Sequence, residues 1–476
     1  MPLKPATRFR RGIRSSAVLL GLAFWWWVGS LPAPVEAQER TGHLTWADIQ
    51  RSISNWQREH PSLIRVRSLG KTVERREIPL LEITDHRNGT RERPEVLLVA
   101  GVHPREQGPT YTLTRFVGEL LKGFGTNEEI TGLVRGTVIW VVPCLNVDGK
   151  IHDMADEQSR LARDWRKNLR RNANRTVGVD LNRNFPVRWG GNRLEDPEWR
   201  ASTADPAGNI YEGPAPLSEP ETRALAAFIS SRPLRAFLDL HSPLHSVNLP
   251  IYLSDTEASH YTQLVAAMTS AQATPYPSQN MRAGEDAPAM ARPGNTGLTY
   301  TWAYYTQGTY SLNLELTVPG NPRGVAGRYP PVSLLEQEYE RNGRQALLAF
   351  VQQGRTMPPR QRGTARIGRI RIEPAPVPGA AVTLTPEVAG SADYAVLVSH
   401  DPSIVVESEF RMVPLRQGFR LRVPEDAKPG SRARLELYVW DSTRGRTVRR
   451  FTLSVANPEA AARPARAAVH AGCLGQ

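Results

Sequence analysis

The chain has 476 residues and a formal net charge of +13, with 40% hydrophobic, 22% charged and 7% aromatic residues. That balance suits a globular protein with one large domain and a smaller one. The basic excess falls mainly beyond residue 355, because residues 38–354 carry 36 basic and 35 acidic side chains. No basic motif interleaved with aromatics points to nucleic acid. The C-terminal excess reads first as a solvated arginine-rich face and second as a contact for an anionic envelope surface.

At the start, Lys4, Arg8, Arg10, Arg11 and Arg14 precede an uncharged apolar run from Ala17 to Val28, and small residues follow to Ala37. This predicts a secretory signal over 1–37, and with it a secreted or periplasmic protein. The competing reading is an uncleaved anchor, but the run is shorter than the roughly 20 residues a spanning helix needs. Only Cys144 and Cys473 occur, one in an apolar run and one in the tail, so the core rather than disulfides must hold the chain together.

Thr45 opens a predicted helix to about Glu59, and alternating runs at Leu63–Leu69 and Ile78–Ile83 predict paired strands. The run from Val96 predicts a buried strand that delivers His103-Pro-Arg-Glu106 into a turn, followed by a helix over about Thr110–Lys122. Val138–Leu145 reads as a central strand ending in the turn Asn146-Val-Asp-Gly149. Residues 150–220 lack periodicity, and so long a loop is more often functional than idle. Ser218-Glu-Pro-Glu is read as the N-cap of a helix to about Ser230. A strand, Leu234–Leu240, then ends at His241; the strand Thr309–Leu316 carries Glu315; a long helix covers Ser333–Gln353. The predicted fold is α/β, a mixed and mostly parallel sheet with helices on both faces over 38–354. A linker over 355–366, short alternating strands over 367–456 that read as an all-β sandwich, and a disordered tail over 457–476 complete it.

Taken alone, His103 and Glu106 read equally well as half of a metal site or as a turn with a capping Glu. His241, also at the end of an apolar strand, would share the same sheet rim and become a third ligand. A His, Glu, His set suits Zn²⁺ and leaves a fourth position for water, as catalytic zinc sites do. Glu315 then reads as a base for a zinc-activated water, against the bland alternative of a strand-end ion-pair partner. Arg166 supplies a guanidinium that can hold an oxyanion, and Asn182-Arg183 a fork that can grip a carboxylate.

In order along the chain, His103-Pro-Arg-Glu106, Asn146-Val-Asp-Gly149, Trp165-Arg166-Lys167, Val179-Asp-Leu-Asn-Arg-Asn-Phe185, Leu217-Ser-Glu-Pro-Glu-Thr222, Leu238-Asp-Leu-His-Ser242 and Tyr310-Ser-Leu-Asn-Leu-Glu315 resemble the zinc carboxypeptidases of the carboxypeptidase A/B/T type over roughly residues 42–353. The resemblance implies one zinc ion on His103, Glu106 and His241, a ligand set already known for carboxypeptidase A. It implies Glu315 as general base, Arg166 as oxyanion stabiliser, Asn182 and Arg183 as the clamp for the substrate's terminal carboxylate, and Arg105 as an outer subsite contact. Two departures stand out: Arg292-Pro-Gly294 falls where the family has a mobile tyrosine, with Tyr300 the nearest substitute, and the position that sets side-chain preference falls near Tyr300 or Thr301 without an acid. The expected function is that of an exported, monomeric metallocarboxypeptidase acting on peptides with a free C-terminal carboxylate. The alternatives are an envelope hydrolase acting on peptidoglycan stem peptides and a non-catalytic carboxylate-binding module.

Overall fold

The computed structural model describes residues 43–89, 92–154, 164–190, 203–250, 255–270, 272–276, 278–279, 297–317, 320, 324–407, 410–413, 415, 418–441 and 443–461. The expected signal over 1–37, the Arg292–Gly294 segment and residues 462–476 of the expected tail lie outside them.

The N-terminal half is built on an eight-stranded sheet. Its strands are β1 (Ile64–Lys71), β2 (Glu77–Ile83), β3 (Glu95–Val99), β4 (Val138–Val142), β5 (Leu234–His241), β6 (Ser246–Asn248), β7 (Ser278–Gln279) and β8 (Tyr310–Glu315). They lie in the order β1-β2-β4-β3-β5-β8-β6-β7. The central pairs β4–β3, β3–β5 and β5–β8 are parallel, while β1–β2, β2–β4 and β6–β8 are antiparallel. All five residues of β3 and of β4 are buried. Apart from Glu95, which accepts from Trp140 Nε1 and Arg232 Nε, the two strands are apolar throughout, because burial of both faces leaves no room for a polar alternation.

Helices pack against this sheet. α1 (Trp46–Glu59) starts in a capping box, in which Thr45 Oγ1 accepts from Asp48 N and the Asp48 carboxylate accepts from Thr45 N, and it buries Ile49, Ile53 and Trp56. α2 (Gln107–Gly123) begins three residues before the predicted start. Pro109 sits in its first turn, where a missing N–H costs nothing, so Gly108-Pro109 opens the helix instead of breaking it. The sequence reading had no counterpart for α3 (Glu128–Gly136), which is capped by Asn127. Asn146-Val-Asp-Gly149 is not a free turn: Asn146 Oδ1 accepts from Gly149 N at 3.0 Å and caps α4 (Val147–Asp153). The helix expected from Ser218 is Pro220–Ser231, with Glu219 at its N-cap. The long C-terminal helix runs from Val332 to Gly354 with a widened turn at Tyr339–Gly343.

Beyond it, β9 (Gln361–Arg362) falls within the expected linker. The strands β10 (Arg366–Glu373), β11 (Ala381–Ala389), β12 (Tyr394–Ser399), β13 (Val405–Val406), β14 (Phe410–Met412), β15 (Phe419–Arg422), β16 (Arg432–Trp440) and β17 (Gly445–Ser454) follow. They form a four-stranded sheet, β10-β11-β15-β13, and a five-stranded sheet, β14-β12-β16-β17-β9. Val382, Leu384 and Leu421 of one sheet meet Leu397, Leu435 and Leu437 of the other in a shared core, which is the expected sandwich. The alternate residues Tyr394, Val396, Tyr438 and Trp440 face the other way and belong to the core of the N-terminal half. Pro458–Ala461, at the start of the expected tail, form a helical turn.

Candidate active site

The parallel strands β3 and β5 place their carboxyl ends side by side, with Val99 opposite Asp239. The chain leaving β3 folds into the His103–Glu106 turn and β5 ends at His241, so the three residues meet on one rim of the sheet. All are buried, and one donor atom from each lies within 4.8 Å of the other two. His103 Nδ1 is 2.8 Å from Glu106 Oε1, His241 Nδ1 is 3.1 Å from Glu106 Oε2, and the two Nδ1 atoms are 3.1 Å apart.

Each imidazole turns its other nitrogen toward an acid. His103 Nε2 lies 3.1 Å from Asp180 Oδ1, and His241 Nε2 lies 3.2 Å from Asp239 Oδ1. Acids behind both Nε2 atoms turn the two Nδ1 atoms toward one point, where they meet the Glu106 carboxylate. Two ring nitrogens and an anion facing one another in a buried place form a donor set able to hold a cation. Nitrogens bound at about 2.0–2.1 Å to one tetrahedral ion stand roughly 3.3 Å apart, close to the spacing seen, so the donor set fits Zn²⁺. The electrostatics agree. Burial disfavours the His241 charge, but Asp239 and Glu106 outweigh it and hold His241 well above the ordinary histidine value. Burial likewise opposes the Glu106 charge, yet the two histidines hold Glu106 well below the usual carboxylate range. The cluster demands positive charge, which a metal supplies.

A cavity of about 430 Å³ opens over this cluster, and every site residue named from the sequence lines it: His103, Arg105, Glu106, Arg166, Asn182, Arg183, His241 and Glu315. Glu315 ends β8 in register with His241 on β5. Its Oε2 accepts from Leu244 N at 3.4 Å. Burial, reinforced by the Glu106 charge, pushes Glu315 up to about 7.

Asp180 links the two halves of the site. Besides meeting His103, it accepts from Arg166 Nε at 2.9 Å and from Asn182 N at 3.0 Å. Burial would raise its pKa, but Arg166 and His103 hold it well below the usual carboxylate range. Arg166 Nη1 is 3.8 Å from Glu106 Oε1. Asn182 Oδ1 accepts from Thr299 N at 3.1 Å, which ties the Asn182-Arg183 turn to the far wall. Arg183 donates from Nη1 to Asn182 O at 2.7 Å, its Nε is buried without a hydrogen-bond partner, and among the described residues no carboxylate lies within ion-pairing distance. Burial, with Asp180 only partly compensating, lowers its pKa. Arg105 lies 3.6 Å from Asp164, which Arg328 grips with two bonds of 2.7 Å.

The sequence reading missed Asp180 and Asp239, although each was visible as an acid inside an otherwise apolar or neutral run, Gly178-Val-Asp-Leu and Phe237-Leu-Asp-Leu. It also missed Arg328, whose surroundings carry no local signal. Tyr300 does line the cavity and is buried.

Comparison with known proteins gives a family and a fold. The family model for zinc carboxypeptidases, Peptidase_M14, matches residues 49–344. Mast cell carboxypeptidase A of Mus musculus is 30% identical over 276 residues, 57% of this chain and 62% of that protein. A zinc carboxypeptidase of Saccharothrix mutabilis subsp. capreolus is 32% identical over 150 residues, 32% of this chain and 34% of the relative. The chain therefore spans less than two thirds of these relatives. Among solved structures, thrombin activatable fibrinolysis inhibitor superposes with a TM-score of 0.54 at 22% identity, covering 66% of this chain and 73% of the other. Carboxypeptidase A from Helicoverpa armigera gives 0.53 at 20% identity with the same coverage, and both likenesses bear on the fold alone. With the family match over more than half of its length, the chain belongs to the zinc carboxypeptidase family.

Proposed function

We propose that the protein removes the C-terminal residue from peptides by hydrolysing the last peptide bond. The observation that carries this reading is one cavity lined by a buried three-donor cluster that fits a metal, a carboxylate beside it, and a buried arginine with no carboxylate within ion-pairing distance among the described residues. Bound at His103, Glu106 and His241, Zn²⁺ supplies Lewis-acid chemistry, acidifying water and polarising a carbonyl.

The chain's own residues do the rest. Arg183, with Asn182 beside it, grips the terminal carboxylate of the substrate bidentately and thereby sets the scissile carbonyl over the cluster. Glu315 takes a proton from the attacking water and returns it to the leaving amine. Arg166, held in place by Asp180, donates to the oxygen that becomes negative. Arg105 contacts the peptide upstream of the cleaved bond. The signal-like segment at 1–37 supports a secreted or periplasmic setting, and a single chain supplies every group in the scheme.

Glu315→Gln tests the scheme. It keeps the shape and loses the base, so zinc content should stay at one per chain while kcat falls by about 10³-fold, roughly the range of a lost general base. Full peptidase activity in this variant would remove Glu315 from the mechanism.

A further inference from the structure

The segment Thr299–Gln307 is a short helix, Thr299–Trp302, that continues into a widened turn, Ala303–Gln307. Its beginning is part of the active site: Leu298 and Tyr300 line the cavity, and Thr299 N bonds to Asn182. None of residues 303–308 lines the cavity, and a helix end leaves carbonyls in need of donors. Gly308, at φ +68, closes the turn with its N donating to Tyr304 O, so the carbonyls of the next four residues are left over.

All four are bonded by side chains of the C-terminal β region. Trp440 Nε1 donates to Tyr305 O at 3.0 Å, Arg446 to Thr306 O, Arg360 Nη1 to Gln307 O at 3.1 Å, and Arg444 to Gly308 O. Arg444 is the deepest of the three arginines at 4% exposed. Its guanidinium also lies 4.0 Å from the centre of the Tyr310 ring and 2.6 Å from Glu257 on the helix Asp255–Thr269. Three cations at a helix C-terminus complement its dipole as well as its hydrogen-bonding needs. Packing leaves no slack either, since a Cβ on Gly308 would stand 2.5 Å from the Trp440 ring. From this end the restraint reaches Tyr300 along the segment itself, because Thr306 Oγ1 donates to Trp302 O at 2.7 Å and Ser311 Oγ donates to Tyr300 O at 2.6 Å.

We infer that the β region is the C-terminal cap of the active-site wall helix, and that Trp440 and Arg446 are positioning residues that fix Tyr300 and so set which C-terminal side chain the cavity accepts. This rests on the carboxypeptidase reading for its substrate consequence, though not for its structural one. The β16–β17 hairpin is then a working part of the site, and side-chain preference depends on residues over a hundred positions downstream of Tyr300.

Trp440→Phe and Arg446→Met each delete one cap bond and leave the buried Arg444–Glu257 pair intact. Two readouts are taken on the full zinc-loaded chain: hydrogen exchange of 299–311 by mass spectrometry, and the kcat/KM ratio for peptides ending in phenylalanine and in alanine. Exchange in 299–308 should rise about fivefold, the scale of one lost hydrogen bond, with α2 and the His103–Glu106 turn unchanged. The phenylalanine-to-alanine ratio should shift about threefold or more, with zinc content unaltered. Exchange that is unchanged or raised evenly across the chain, or an unchanged ratio in an active variant, overturns the proposal. If the wild-type protein hydrolyses neither peptide, the carboxypeptidase reading fails by itself, and the exchange result alone decides the cap.

Discussion

Glu315 stands directly opposite His241 across the parallel β5–β8 ladder, so the proposed base and a metal donor rise from the same face of the sheet. Their spacing is therefore set by strand pairing, the stiffest part of the fold, and by no loop. The same pairing buries Glu315 next to Glu106, and the two effects together account for its raised pKa.

A carboxyl held at about 7 is half protonated in the metal-free protein at neutral pH, and a cation beside it favours the charged form. Zinc addition should therefore lower the Glu315 pKa, read by isotope-edited infrared or NMR, and hydrolysis should fall as pH drops through the zinc-loaded value. The stability of the apoprotein should move the other way. Folded Glu315 binds its proton more tightly than an unfolded Glu near 4.5, so this group's contribution is fully present below about 4.5 and is lost as pH rises through about 7. Glu315→Gln should flatten the apoprotein's Tm against pH in that window. An unaltered slope would mean that Glu315 ionises freely.

Asp180 meets His103 Nε2 at 3.1 Å and holds Arg166 and the Asn182 backbone at the same time. Asp180→Asn should weaken zinc binding by about 10- to 100-fold, the usual cost of losing a carboxylate behind a histidine ligand. Competition with a chelator measures this without reference to activity. Wild-type zinc affinity in the variant would show that the Asp180 contact does not orient His103.

Gly297 occupies φ +61, and a Cβ there would lie 2.0 Å from Arg183 O. Its N donates to Val187 O at 2.9 Å and its O accepts from Phe185 N at 3.1 Å, so the backbone has nowhere to retreat. Gly297→Ala should cost about 1–3 kcal/mol of stability, the scale of a non-glycine residue forced into such a conformation. Because the clash falls on Arg183, KM should rise more than kcat falls. Equal Tm and KM in variant and wild type would contradict this.

Much of the site was legible because its residues sit where β runs end, and a strand end is readable from local sequence. His103, Glu106, His241 and Glu315 were all found this way, and all line one cavity. What local sequence did not carry was pairing over distance. Nothing near Asp180 says that it will face His103, 77 positions away. Helix starts were misplaced where a side chain had another employer: Glu106 occupies the N-cap of α2 but spends its carboxylate on the two histidines. The β region was readable as a sandwich from its alternation, but the outward-facing Tyr394, Tyr438 and Trp440 did not announce that a second core would receive them.

The central claim is that Arg183 awaits a terminal carboxylate over a zinc site. It is tested most directly by one peptide in two forms, free and amidated at its C-terminus, incubated with the zinc-loaded protein and followed by mass spectrometry. The free form should lose a single C-terminal residue, an activity abolished by chelator and restored by zinc. The rate for the amide should be at least about 10²-fold lower, the order of a lost charge-assisted bidentate contact. Equal cleavage of both forms, or cleavage that survives metal removal, would contradict it.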